Sequence, residues 1–354
     1  MHAKHGVEAV RAVAAAAQAR RRPRAGVRSV LAAVPSASPI VRWTGIGFLV
    51  VAALFPLFGS GFYTRLAIEA MLFGSIALSV DILLGYAGML SLGQAAYFGF
   101  AAYLTAVLYT HVTSSFWLVA LIVAASVGLL AFLLGAVAIR ASGVYFALIT
   151  FGVAEILLKI AHNTRALGGS DGIIGIPVPS VGVFGLFSIP LKHNLVFYYF
   201  VLAGIVLVYL GVRRILNTPF GRVLHAVRDN ADRVPYLGYN PFWYKVCAYV
   251  LAAEVAAFGG LIYPLLRGFV SPELFGFEVS TKAVVMSLVG GIGTLVGPLI
   301  GGVIITFLEI VLGGITEHHL IVLGVIFVVF VMFLPDGFMG LARRLVAQRR
   351  GERS

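Results

Sequence analysis

The sequence predicts an all-α polytopic integral membrane protein with about ten transmembrane helices, some of them short or broken. Hydrophobic residues make up 60% of the 354 positions and charged residues only 11%, whereas about a quarter of the residues in a soluble globular chain are charged. The segment 116–138 carries no charge and is long enough to cross roughly 30 Å of hydrocarbon. The 41 glycines also fit, because small residues let membrane helices approach closely.

Segment length and turn residues locate the individual spans, since apolar periodicity is uninformative inside a membrane. The two segments near 282–313 are short and glycine-rich, so two crossings or one broken or re-entrant element would both fit them. The predicted spans are 44–60, 66–84, 92–110, 116–139, 143–160, 195–212, 245–263, 282–294, 297–313 and 319–334.

Three arginine-rich regions predict the topology. They are an N-terminal tail (1–43), a central loop (213–244) and a C-terminal tail (343–354), and the positive-inside rule assigns such regions to the cytoplasm. Ten crossings place all three on the cytoplasmic side of the membrane, with an external loop at 161–194 and a transmembrane domain at 44–342. Because the net charge of +12 flanks apolar spans, it argues for membrane lipid as a partner and against nucleic acid.

The sequence lacks the common motifs for cofactors and for catalysis. Cys247 is the only cysteine, which excludes an intrachain disulfide and a CxxC metal site. There is no Walker A pattern, so the chain is not expected to bind ATP itself. There is also no HExxH, no GxSxG and no cluster of histidines and carboxylates in the spans, which argues against an intramembrane enzyme. We expect no cofactor, no metal and no catalytic residue.

The basic central loop contains a short predicted helix. Thr218 can cap a helix that has Pro219 in its first turn, and Gly238 suits the C-terminal end. An arginine-rich helix parallel to the membrane is a suitable docking element for a soluble partner. An ordinary basic loop that only sets the topology fits these residues equally well.

Five separated motifs carry a family resemblance. In their order along the chain they resemble the branched-chain amino acid ABC permease family, in particular its LivM-type subunit, over roughly residues 45–342. The motifs are Gly85–Gly88 with Ser91–Gln94; Gly169–Gly172 with Gly175–Pro177; Pro219–Arg222 with Arg228–Asn230, Leu237–Asn240 and Tyr244–Lys245; Ser271–Glu273; and Gly290–Pro298.

The resemblance implies a division of labour among several proteins. A periplasmic or lipid-anchored binding protein would capture the substrate, a second, LivH-type permease would form a heterodimer with this chain, and two cytoplasmic ATPases would supply the energy. The basic loop would be the ATPase-coupling loop. Arg233 and Val234 replace two alanines of the usual coupling pattern, so individual contacts are not assigned. The candidate coupling residues are Pro219, Phe220, Gly221, Arg222, Arg228, Asp229, Asp232 and Gly238.

The cargo implied by the resemblance is a branched-chain amino acid. Related permeases are expected to carry urea, short amides or another small polar solute, and these cargoes stay open because the binding protein would set most of the specificity. The phrases Ser271–Glu273 and Gly290–Gly293 look more like the amino-acid branch than the urea branch.

Glycines and polar residues between two spans are candidates for a translocation path. Gly85, Gly88, Ser91 and Gln94 lie in one short stretch. This composition predicts either a broken helix whose freed backbone groups and polar side chains face the substrate, or a tight turn with close helix packing.

Asp81 and Glu254 are the deepest carboxylates in the predicted spans, where charge is costly, and both depart from the residues usual in the family. They would line the path, pair with a partner subunit or lie at a solvated interface. Together with Glu155 they would alternatively carry protons in an ion-coupled secondary transporter, which needs no ATPase. Glu155 lies four residues before Lys159, so these two can pair on one helix face.

The external loop carries the candidate docking site for a binding protein. Gly169, Ser170, Asp171 and Gly172 would shape the mouth of the pathway there, although glycine and aspartate are also ordinary turn residues. The adjacent His318 and His319 do not by themselves form a metal site.

Overall fold

The computed structural model describes residues 39–58, 61–183, 187–190, 193–315, 319–333 and 337–340. The C-terminal tail 343–354, most of the N-terminal tail 1–43 and His318 lie outside the described residues. Helices account for most of the described chain, as expected for an all-α membrane protein.

Ten helices of at least 14 residues occupy the ten predicted spans within the described part of the chain. A shorter helix lies in the basic loop, a π-helical turn (Ile82–Ala87) follows the second helix, and four short strands form two antiparallel pairs. The helices are α1 (Pro39–Phe58), α2 (Gly61–Asp81), α3 (Gln94–His111), α4 (Phe116–Ala138), α5 (Val144–Asn163), α6 (Asn194–Leu216), α7 (Pro219–Asn230), α8 (Pro241–Arg267), α9 (Phe277–Gly290), α10 (Val296–Ile315) and α11 (His319–Phe333); the strands are β1 (Ile173–Ile174), β2 (Ser180–Val183), β3 (Phe187–Pro190) and β4 (Phe269–Val270).

Not all ten long helices are long and apolar enough to cross a membrane. Six described helices meet that requirement: α2 with its π-helical turn, α4, α5, α6, α8 and α10. Helix α9 has 14 residues, and at 1.5 Å per residue it extends only about 21 Å, short of the roughly 30 Å hydrocarbon core. The predicted count of about ten crossings is therefore not confirmed by the helix lengths.

The glycine-rich segment near 282–313 forms two separate helices. Helices α9 and α10 are joined by the loop 291–295 and run antiparallel, with Gly290 against the Gly297 carbonyl and Gly301 against the Met286 carbonyl. Added Cβ atoms at these two helical glycines would overlap the facing backbone. Both glycines are required because the helix backbones touch.

Tertiary contacts place the basic loop and the predicted external loop at opposite ends of the helices. At the end that contains α7, the π-helical turn contacts α7 and the loop 291–295. At the other end, β1 pairs with β4 in antiparallel register, with Ile173 opposite Val270. We call these the α7 end and the strand end.

Helix α2 forms the centre of the described bundle. Every residue from Ala70 to Asp81 is buried, and α3 and α8 are buried along most of their length. Gly260 of α8 lies against the Phe98 carbonyl of α3, an approach that leaves no room for a side chain. By contrast, α4 buries only one narrow stripe. Polar residues of α2 and α3 therefore lie deep inside this chain.

Candidate functional site

Helix α7 is amphipathic, and its exposed side carries charge. Of the predicted coupling residues, Pro219, Arg222, Arg228, Asp229, Asp232 and Gly238 are exposed. The other face is buried and fixes the helix to the bundle. Its buried residues are Gly221, Val223, Leu224 and Val227. Gly221 abuts the Leu216 carbonyl, and the neighbouring Phe220 ring stacks on Tyr244 with centroids 5.6 Å apart.

Two details of the predicted helix ends are wrong. Thr218 occupies the position before the helix, but its hydroxyl donates to the Ile215 carbonyl at 2.6 Å and does not cap α7. The helix ends at Asn230, and Gly238 terminates a separate 3₁₀ turn, Val234–Leu237. Gly238 has a φ of 82°, so it terminates this second element, which has Pro235 in its first turn, instead of terminating α7.

The π-helical turn after α2 frees a carbonyl that α7 then engages. In a continuing α-helix the Met89 N–H would donate to the Gly85 carbonyl. Here both Gly88 and Met89 donate to the Leu83 carbonyl instead. The Gly85 carbonyl accepts a hydrogen bond from the Arg228 guanidinium. Arg228 thereby connects the loop helix to the central helix of the bundle.

Asp81, at the end of α2, holds the loop between α9 and α10. Its carboxylate accepts the Gly293 N–H at 2.5 Å and the Leu295 N–H at 3.0 Å. The side chain is fully buried, so a solvated interfacial location, one of the predicted alternatives, is wrong. Both oxygens are engaged by backbone donors, an arrangement that stabilises a buried carboxylate.

Three segments meet at Gly85. An added Cβ there would lie 2.7 Å from the Gly293 nitrogen and 2.8 Å from the Asp81 Oδ1 atom. Gly88, with a φ of 69°, packs against the side chain of Arg228. We call this meeting of the π-helical turn, the loop 291–295 and Arg228 the Gly85 junction. It joins α7, α2, α9 and α10 through hydrogen bonds from the side chains of Arg228 and Asp81 to backbone groups and through the close backbone approach of Gly85 and Gly293.

The remaining predicted path residues belong to a buried hydrogen-bond network. Gln94 accepts from Ser79 at 2.6 Å and donates to Ser91 at 3.4 Å. The Ala95 N–H donates to the Ser280 hydroxyl of α9 at 3.3 Å. Ser91 and Gln94 are 1% and 0% exposed. A π-helical turn and a loop separate α2 from α3, which fits both predicted alternatives, a broken helix and a tight turn. The side chains of Ser91 and Gln94 connect the helices around this segment.

Glu254 has a different environment from Asp81. It lies half-buried on α8 with its carboxylate against the bare backbone of Gly128 in α4, where an added Cβ would be 2.7 Å from the Oε1 atom. The structure therefore separates the two predicted path carboxylates: Asp81 lies at the Gly85 junction and Glu254 lies between α8 and α4.

The predicted docking loop lies at the strand end. Ser170 and Asp171 are exposed, and Gly169–Asp171 forms a 3₁₀ turn. Gly172 has a φ of 74° and abuts the Val270 carbonyl. The positive φ and the close approach to Val270 explain why position 172 is a glycine. Ser170 and Asp171 are accessible to a partner protein.

The sequence did not predict two ion pairs, because the partners in each pair lie on different helices. Arg267 pairs with Glu69, and Lys282 pairs with Glu309 while lying 4.9 Å from the centroid of the Phe73 ring. These are the ion pairs within 4.0 Å among the described residues. Glu155 and Lys159 are not among them, although their spacing predicted a pair.

Residues 62–331 match the family described as branched-chain amino acid transport system / permease component. The high-affinity branched-chain amino acid transport system permease protein LivM of Escherichia coli (strain K12) is 26% identical over 348 residues, which are 92% of this chain and 81% of that protein.

Shorter similarities involve other permeases. The corresponding LivH protein of Escherichia coli (strain K12) is 27% identical over 122 residues, 34% of this chain and 39% of that protein. The autoinducer 2 import system permease protein LsrC of Yersinia pseudotuberculosis serotype O:1b (strain IP 31758) is 30% identical over 102 residues, 27% of this chain and 29% of that protein. No solved structure matches this chain.

Proposed function

This chain belongs to the branched-chain amino acid transport permease family, and we propose that it is the membrane-spanning subunit of an ATP-driven ABC importer for branched-chain amino acids. The family match covers residues 62–331, and the similarity to a LivM protein extends over 92% of the chain. Both support a multi-pass permease of the inner membrane. The ATP dependence, the cargo and the cytoplasmic location of both termini are part of the proposal.

The observation that carries the proposal is the hydrogen bond from Arg228 to the Gly85 carbonyl. A loop helix that only set the topology would need no fixed contact with the central helix. In an ABC importer, movement of the ATPases must reach the translocation path. Arg228 and the Gly85 junction supply a contiguous physical connection from α7 to α2, α9 and α10.

The exposed charges of α7 support an ATPase as its partner. Arg222 and Asp229 of α7, and Asp232 shortly after its end, are exposed. None of the three makes the contact with the Gly85 carbonyl that Arg228 makes. We propose that they contact the two cytoplasmic ATPases. A LivH-type permease would complete the heterodimer, and a binding protein would dock at the strand end on the loop Gly169–Gly172, where Ser170 and Asp171 are exposed.

The cargo is proposed from the extent of similarity. The LsrC similarity covers only 27% of this chain and the LivM similarity 92%, which favours a branched-chain amino acid over other small polar solutes. Urea and short amides are the second candidate. Uptake assays with radiolabelled leucine, isoleucine, valine and urea in reconstituted vesicles separate these cargoes.

The test of the machinery uses three variants of the complete assembly. The assembly is purified in mild detergent by a tag on this chain, and the copurifying proteins are identified by mass spectrometry. We expect an ATPase and a second permease with the unmodified chain. Arg222→Glu should reduce recovery of the ATPase, because it reverses an exposed charge. Arg228→Gln should retain the ATPase but lose ATP-driven uptake, because it removes the connection to Gly85.

A chain that is recovered alone, and that transports without any ATPase, would refute the importer. Arg165→Glu is the matched control for ATPase recovery, since it reverses an exposed charge outside α7 and its neighbouring loop. If Arg222→Glu and Arg228→Gln behave identically, α7 docks a partner but does not transmit movement through Arg228.

A further inference from the structure

Helices α1 and α6 are joined at one half of their length and separate at the other. Near the strand end, the Tyr198 hydroxyl donates to the Ala52 carbonyl at 2.6 Å and the Tyr199 hydroxyl to the Ala53 carbonyl at 3.0 Å. Toward the α7 end a cavity of about 220 Å³ lies between the same two helices. We call this cavity, with its exposed rim, the α1–α6 groove.

The groove has an apolar lining and one charged end. Its floor is formed by residues of α2 and α10, and its rim includes Leu49 and Leu210, which are 41% and 48% exposed. Arg213 lies at the end of the lining, in the last turn of α6. It neighbours the Tyr209 hydroxyl one helical turn earlier. The lining residues on the floor are Met71, Val296 and Leu299.

The dimensions fit one leaflet of a bilayer. On α6 the lining extends from Leu202 to Arg213, which corresponds to roughly 16 Å at about 1.5 Å per residue. Half of a hydrocarbon core of roughly 30 Å is about 15 Å. A charge at the end of such an apolar groove therefore lies at the depth of the lipid headgroups.

We propose that the α1–α6 groove binds a phospholipid, with an acyl chain along its apolar lining and the headgroup phosphate on Arg213. An empty apolar groove forfeits dispersion contacts on one side, and an acyl chain supplies them. The acyl chain alone gives little preference for this groove over the surrounding bilayer, because lipid tails are as apolar as leucine. The preference comes from the guanidinium, which binds phosphate through charge-assisted hydrogen bonds.

Two neighbouring pairs of residues offer matched controls. Arg214 follows Arg213 on α6 but is exposed and absent from the lining. Gly45 lines the groove, and an added Cβ there would approach the Val296 side chain at 3.3 Å; Gly47 lies on the same helix with nothing within 4 Å of an added Cβ. Arg213→Gln and Gly45→Leu are the test variants, and Arg214→Gln and Gly47→Leu are their controls.

The experiment uses the complete assembly in nanodiscs of phosphatidylethanolamine and phosphatidylglycerol. A minor fraction of the phosphatidylglycerol carries a diazirine in one acyl chain, and peptides with lipid adducts are identified after illumination. We expect adducts on 45–49 and 202–210 above those on 121–129, a segment of α4 with exposed apolar side chains such as Leu121 and Leu129. Arg213→Gln should lower them about tenfold, as expected for one lost charge-assisted hydrogen bond. Gly45→Leu should abolish the adducts in the groove. The controls Arg214→Gln and Gly47→Leu should leave these adducts unchanged.

Three results would overturn the proposal. Equal effects of Arg213→Gln and Arg214→Gln would mean that charge acts non-specifically. Labelling of 121–129 without labelling of the groove would mean that protein, such as a second permease or another part of this chain, covers it. Competition by inorganic phosphate would identify a site for free anions. The lipid adducts are read without transport, so the test does not depend on the proposed cargo or on ATP hydrolysis.

Discussion

The carboxylate of Asp81 accepts the backbone N–H of Leu295 at 3.0 Å, although the two residues are 214 positions apart. Leu295 is the non-glycine residue with a positive φ, 60°, among the described residues. A non-glycine residue in this region costs about 1–3 kcal/mol and persists only when its surroundings hold it. Asp81 provides that support, so this acidic residue inside a predicted span has a structural role.

Replacing Asp81 by Asn should destabilise the protein. The amide oxygen can replace one acceptor, but its NH₂ group cannot accept from the second N–H, so one buried donor loses its partner. We expect a loss of about 1–3 kcal/mol, measured as a lower thermal midpoint in detergent. Asp171→Asn, an exposed change at the strand end, is the control. An Asp81→Asn protein of normal stability that has lost only pH-dependent transport would favour a proton carrier.

Gly85→Ala should be far more harmful than Gly152→Ala. The added methyl at position 85 meets the Gly293 backbone at 2.7 Å, and a backbone cannot move aside as a flexible side chain can. We expect about 1–3 kcal/mol of destabilisation from overpacking. At Gly152, within α5, nothing lies within 4 Å of the added atom, and the helix should gain up to about 1 kcal/mol. Comparable thermal midpoints of both variants would contradict the Gly85 junction.

Glu254→Gln should leave transport nearly unchanged. The carboxylate packs against Gly128, and the amide has almost the same shape. For an ATP-driven importer we expect less than about a twofold change in uptake, and no effect of a protonophore at constant ATP. Uptake by vesicles with defined internal ATP checks both. Loss of uptake in Glu254→Gln together with sensitivity to the protonophore would instead favour the proton-coupled transporter.

His225 should make stability depend on pH. Its ring lies 5.0 Å from the Tyr86 ring, and burial, followed by the Arg228 charge, lowers the pKa of His225 below its ordinary 6.5. The unfolded state then binds the proton more readily, so this contribution is complete above pH 6.5 and is lost as the pH falls from there through the folded pKa.

Thermal midpoints measured across this pH range test the role of His225. His225→Phe should reduce the fall at acidic pH, because it keeps a ring against Tyr86 and removes the titration. His162→Gln, an exposed change on α5, should retain the fall of the unmodified protein. The role is refuted if the two variants respond to pH in the same way.

Much of the fold was accessible from the sequence. The positions of the ten long helices, the helix after Thr218 and the break near Gly85 follow from apolar segment length and from proline and glycine, which act on the local backbone. The number of membrane crossings was not accessible, because a segment as short as α9 fits either a crossing or an interior element.

The sequence by itself determined the class of protein, the places of its helices and, through separated motifs, its family. Only the tertiary structure decided what Asp81, Arg228 and Gln94 do. The partners of Asp81 and Arg228 are 212 and 143 positions distant, and no local pattern encodes a contact between segments so far apart. A buried carboxylate has the same sequence signature whether it carries a proton or holds a loop. The donors that surround it make the difference, and folding brings those donors together.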